Sequence, residues 1–126
     1  MCIRDSRFGM ETISTLARTD SLGVEGLNLS EDQWDAWDAA WEETAPQHPD
    51  HRVGGPPNTF QGGGLEETCA RLAGGEPAEW RLLLQLDSHE ESDLRWANFG
   101  RIYFFVREEA ARAGDFSDVW FRLQSM

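Results

Sequence analysis

The sequence predicts an α+β domain, and three observations carry that prediction. Residues 30–43 repeat their apolar positions with the period of a helix. Residues 79–87 and 101–106 alternate with the period of a strand. Between these two regimes lies a stretch rich in Pro and Gly, residues 44–64, that can be neither a regular helix nor a central strand. The expected architecture is a mixed or antiparallel sheet with helices packed on it.

Residues 7–29 show no firm period, and Gly23, Gly26 and Asn28 mark them as an irregular lead-in. Ser30 then opens a capping box with Gln33, in which each side chain serves a free backbone N–H of the other residue. The helix should run from Glu31 to about Glu43. Trp34, Trp37 and Trp41 share one face of it, which reads as core packing, with a ligand-stacking surface as the alternative. In the Pro/Gly-rich stretch, His48 and His51 have the spacing of a helical metal pair, but Pro46 and Pro49 exclude a helix there. Arg52-Val53 can start a short strand. Leu65–Ala73 reads as a short helix with Leu65, Cys69 and Leu72 on one face, acidic at its start and stopped by Gly74-Gly75.

From Glu79 the period is two. Strict alternation places Trp80, Leu82, Leu84 and Leu86 on one face and Arg81, Leu83, Gln85 and Asp87 on the other. Arg101–Val106 is apolar on both faces, as expected of a strand in the middle of a sheet. Arg107–Ala113 makes a helical turn ended by Gly114, and Val119–Gln124 is a last strand.

The chain has 126 residues and a net charge of −12, and every one of its eleven basic residues is Arg. So acidic a chain repels phosphate backbones, which argues against nucleic acid; the charge fits a basic protein partner or a divalent cation, or serves solubility alone. No apolar run reaches the length of a membrane helix. The two Cys, Cys2 and Cys69, form no disulfide framework, so a reducing, cytoplasmic setting is expected. The opening MCIRDS looks like translated sequencing-adaptor sequence, so residues 1–6 are expected to be non-native. The expected division is then 1–6, the lead-in 7–29, and the domain proper over 30–126.

Between the two longest strands lies a loop holding Asp87, His89, Glu90, Glu91 and Asp93. Oxygen-rich flexible loops suit a divalent cation, and His89 suits zinc more than calcium, so these five are the candidate metal ligands. The same loop also reads as the solvated tip of a hairpin, or as a docking surface for a basic partner. No nucleophile elbow, no phosphate-binding loop and no Cys/His signature is present, so no cofactor is expected and an enzyme is the less favoured reading. The GGG of 62–64 precedes a helix, but Glu66 and Glu67 oppose an anion there. The residues assign no catalytic group; a general acid–base pair such as His51 with Asp87 is conceivable, but the sequence does not bring the two together.

Four ordered blocks, HRVGGPPNTFQ, EWRLLLQLDS, WANFGRIYFFVREE and GDFSDVWFRLQS, resemble the YwqG-like family of bacterial proteins over about residues 48–125. The positions that match the family's motifs are His51, Arg52, Gly55, Gln61, Gln85, Asp87, Trp96, Gly100 and Arg101. The resemblance implies a soluble α+β domain longer than this chain, of which the present residues would be the C-terminal part. It also implies a role in immunity or interaction, since some members lie beside toxin genes. In two places the chain departs from the family pattern. The family's Trp-Gly-Asp-x-Gly becomes Trp96-Ala97-Asn98-Phe99-Gly100, which removes a carboxylate at Asn98, and LQSM closes early against the family's tail.

Overall fold

A computed structural model describes residues 11–125. The six residues expected to be non-native lie outside the described part. Helix α1 spans Glu31–Thr44. A two-residue strand β1, Arg52–Val53, follows, then helix α2 over Leu65–Ala73 and strand β2 over Trp80–Asp87. Strand β3 covers Arg101–Arg107, the short helix α3 Glu108–Arg112, and strand β4 Trp120–Gln124. The four strands form one antiparallel sheet in the order β1-β2-β3-β4. The expected α+β class holds, and β3 sits in the interior of the sheet as its two apolar faces require.

Strict alternation along β2 does not hold. Trp80, Arg81 and Leu82 pair with Arg107, Val106 and Phe105, and the register then shifts, so that Leu84 pairs with Phe104. Leu83 is an extra residue with no partner of its own, a β-bulge. It reverses the parity of everything after it. Trp80 and Leu82 share a face with Gln85 and Asp87, while Leu84 and Leu86 turn to the other side. The expected grouping of Leu84 and Leu86 with Trp80 is corrected by this one residue, because a single insertion inverts a period of two.

The covered face has an apolar end and a polar end. At the apolar end Leu65, Cys69, Trp80, Leu82, Tyr103 and Phe105 form the core cluster, with Ala70, Ala73 and Trp120 against it. Leu65 and Cys69 are the residues α2 buries on the sheet, whereas Leu72, expected to join them, is 48% exposed. Burial pushes the Cys69 thiol up, against the opposing influence of Arg122, so it is a small apolar filler. On the opposite face Ile102 and Val106 are buried, but Phe121 and Leu123 are largely exposed.

The capping box at Ser30 and Gln33 forms as expected. The Trp stripe of α1 does not become core. No residue of α1 is buried, and Trp34, Trp37 and Trp41 are half-exposed. The helix instead rests on the lead-in. Trp37 Nε1 donates to the Ala17 carbonyl at 2.8 Å, and the Arg18 guanidinium lies 4.8 Å from the centre of a Trp41 ring. Six carboxylates on a single short helix give it too much charge to enter a core.

Candidate functional site

At the polar end of the covered face the strands present polar side chains where apolar ones would be ordinary. Arg101 lies opposite both Asp87 and Gln124, and Tyr103 lies opposite Gln85. Gln85, Asp87, Arg101 and Gln124 are between 0% and 6% exposed. They are buried by the irregular segment from His48 to Gly62, which has almost no ladder of its own. Its backbone groups therefore need partners from elsewhere, and the sheet's side chains supply them. Gln85 Nε2 donates to Asp50 O at 2.9 Å, and Gln85 Oε1 accepts from Asn58 N at 2.8 Å. Asn58 O accepts from Arg101 Nη1 at 2.5 Å and from the Tyr103 hydroxyl at 2.9 Å. Gln124 accepts from Phe60 N and donates to Gly62 O, both at 3.2 Å. Arg52 grips Asp50 with two hydrogen bonds and donates a third to Pro56 O.

Asp87 is the hub. Its Oδ2 accepts from Arg101 Nη2 at 2.8 Å, from Asp50 N at 2.9 Å and from His48 Nδ1 at 2.6 Å, while Oδ1 accepts from Ser88 N at 3.0 Å. Burial alone would push this carboxyl up. The Arg101 hydrogen bond, the Asp50 N–H, the Arg101 charge and the His48 bond more than offset that, and hold it below the usual carboxylate range. An ionised carboxylate only accepts, so His48 Nδ1 is the donor in this bond, on a side chain that is 78% exposed. His48 Nδ1 and Arg101 Nη2 approach to 3.5 Å because both donate to one oxygen.

His51 is oriented the other way. Its Nδ1 accepts from the Asp87 backbone N–H at 3.0 Å, so its proton sits on Nε2. Burial pulls its pKa down, aided by His89 and Arg101 and opposed by Asp87 and Asp50, so the ring is held neutral. The carboxylate of Asp87 thus pairs with His48, and His51 meets only its backbone. The pairing of His51 with the Asp87 carboxylate is not formed; the carboxylate bonds His48 instead.

The acidic loop divides. Asp87 turns inward to the hub, while Glu90, Glu91 and Asp93 are exposed. The loop closes on itself, His89 and Leu94 exchanging two backbone hydrogen bonds of 2.8 and 3.0 Å. His89 Nδ1 lies 2.8 Å from Ser92 Oγ, and its Nε2 is 3.8 Å from Glu91 Oε2. The rings of His51 and His89 meet edge-on at 6.0 Å. Among the described residues no group of three or more His, Cys, Asp or Glu is placed to hold a metal ion. The remaining motif positions support the same loop: Trp96 Nε1 donates to Asp87 O at 3.2 Å, and Gln61 donates to Ser125 O. Gly55 turns with φ +74°, and Gly100 passes so close to the backbone of Trp96 and Gln124 that a Cβ would collide with both. The sequence reading missed Asp50, Asn58, Tyr103 and Gln124. Their signal was present for two strand positions, as Tyr103 and Gln124 interrupt apolar strands; nothing in the sequence pointed to Asp50 and Asn58.

The fold and site together define an α+β domain with an antiparallel sheet, whose buried polar network clamps a long irregular loop. The chain belongs to DUF1963, a domain of unknown function, whose family model matches residues 4–125. The match includes the lead-in and α1 as well as the motif region. No curated protein matches the chain. No helix among the described residues is long and apolar enough to cross a membrane.

Proposed function

We propose that this chain is a non-enzymatic interaction module of the YwqG-like type, which meets a basic protein partner through α1. One observation carries the reading. Glu31, Asp32, Asp35, Asp38, Glu42 and Glu43 are all exposed on α1, which holds no basic residue and buries none of its own. The buried polar network of the sheet is absorbed in holding the loop. Its charges are paired, which leaves little for a substrate. Complementary charge of this kind speeds encounter and makes binding fall with salt.

The test is fluorescence anisotropy with an arginine- and lysine-rich helical peptide at low and high salt. Binding should weaken steeply as salt rises, and Asp35→Asn, Asp38→Asn and Glu42→Gln combined should abolish it. Salt-independent binding, or none, counts against the reading.

A divalent-metal reading draws on a different feature, the imidazole of His48 held by Asp87, since a carboxylate behind a histidine is the usual support of a metal ligand. Further ligands would have to come from the loop of 87–93. Unchanged metal uptake in Asp87→Asn with Glu90→Gln would sink it.

A further inference from the structure

The lead-in, the loop at 55–57, α2 and the start of β2 line a half-open hollow of about 190 Å³, whose walls include Ser21, Leu22, Pro57, Glu66, Trp80 and Arg81. That is smaller than the roughly 300 Å³ at which pockets for whole small molecules begin, so it suits a guest the size of one side chain. Glu66 is 8% exposed, yet among the described residues it receives no hydrogen bond or ion pair from another residue. Burial pushes its pKa up, opposed by its own backbone N–H and by the Arg81 charge. Next to it in sequence, Glu67 Oε2 is buried without a partner, and Glu67 and Glu25 both add negative charge near Glu66. Arg81 is the nearby cation, but its guanidinium is engaged elsewhere. Nη1 donates to Ala78 O at 2.6 Å and Trp80 O at 3.1 Å, and Nη2 pairs with Glu108 at 3.0 Å. A buried carboxylate whose nearby cation is shared among other partners is under-compensated, and a second cation able to reach it would add to what Arg81 supplies.

We propose that this hollow binds the end of an alkylammonium chain, with the ammonium on Glu66 and Ser21 and the methylenes against Leu22, Pro57 and Trp80. An ammonium brings three donors on a narrow stem, and both Glu66 and the Ser21 hydroxyl accept. Ser21 is 9% exposed, and no other described residue bonds its hydroxyl. Arg107 already covers one face of Trp80 at 5.0 Å, so the indole serves here as an apolar wall. The chemistry has two sources, a lysine side chain of a partner or a free small amine. The inference does not depend on α1, since neutralising that helix leaves Glu66 untouched.

The experiment is an NMR titration with n-butylammonium chloride that follows the Trp80 indole N–H, with n-butanol as neutral isostere and sodium chloride as salt control. A saturable shift is expected with the amine, weaker by about tenfold or more with the alcohol or in Glu66→Gln. Equal binding by Glu66→Gln, equal binding of butanol, or no saturable shift would overturn the proposal. If Glu66→Gln fails to fold, Glu66→Asp keeps the charge and should keep the preference for amine over alcohol; loss of that preference overturns it too. A lysine peptide that binds more tightly than both its arginine counterpart and butylammonium marks a partner's side chain as the source. Binding of the free amine alone marks a small molecule.

Discussion

Replacing Asp87 with Asn removes one charge from an ion pair whose two side chains are almost fully buried. Arg101 is 1% exposed and Asp87 is 2% exposed, so the guanidinium left behind has no solvent to turn to. Its Nη1 keeps Asn58 O, but its Nη2 loses its anion, and its Nε already lacks a partner. Breaking a buried pair from one side costs about 3–5 kcal/mol, chiefly because the surviving charge is uncompensated. For a chain of 126 residues, that is a fall in Tm of roughly 10–20 °C. Urea and thermal melts of the parent and Asp87→Asn at neutral pH measure it. Adding Arg101→Gln to Asp87→Asn should recover part of the loss, because the stranded charge goes. The pH dependence has a definite sign. Asp87 titrates lower in the folded chain than its ordinary 3.8, so its stabilisation is complete above that value and disappears as pH falls through the folded pKa. The two proteins should therefore converge in acid. A loss under about 1 kcal/mol at neutral pH, or no convergence in acid, would refute the account of Asp87 as the hub.

Three further outcomes follow from the same geometry. Ala97 is exposed at φ +49°, where the resembled family pattern has glycine, so Ala97→Gly should stabilise by about 0.5–1 kcal/mol once the added chain entropy is counted, read from urea midpoints. His51 titrates below its ordinary 6.5, so its share of stability is present above that pH and is lost as pH falls through the folded value; His51→Gln should flatten the parent's decline in urea stability on acidification from neutral pH. Deleting Leu83 should abolish the cooperative melt, because Gln85 and Asp87 would turn to the opposite face, whereas Leu83→Ala should cost only about 1 kcal/mol.

Much of the fold was legible because local rules and tertiary packing agree. The capping box at Ser30, the stop at Gly74-Gly75 and the two-sided apolar run of Arg101–Arg107 each act over a few residues, and each element lies where its pattern puts it. The candidate site was only partly legible. Asp87, Arg101 and Gln85 stood out as motif positions, yet the acidic loop was read as one cluster, and the structure separates Asp87 from Glu90, Glu91 and Asp93. The Trp stripe of α1 had the right period for a core helix. Period says which residues share a face, not whether enough apolar surface lies opposite, and six carboxylates kept that helix outside.

By itself the sequence determined the kinds of element, their order, the acidic charge and the residues that no ordinary strand would bury. Tertiary structure alone decided which way those residues face. A strand's side chains alternate, so one bulged residue, Leu83, carries Gln85 and Asp87 from the outer face to the inner one. A bulge leaves no local signature in a run of leucines; its register is set by pairing with β3, residues distant in sequence. The partners of Asp87 come from His48, Asp50 and Arg101, and only closure of the irregular loop over the sheet brings these together.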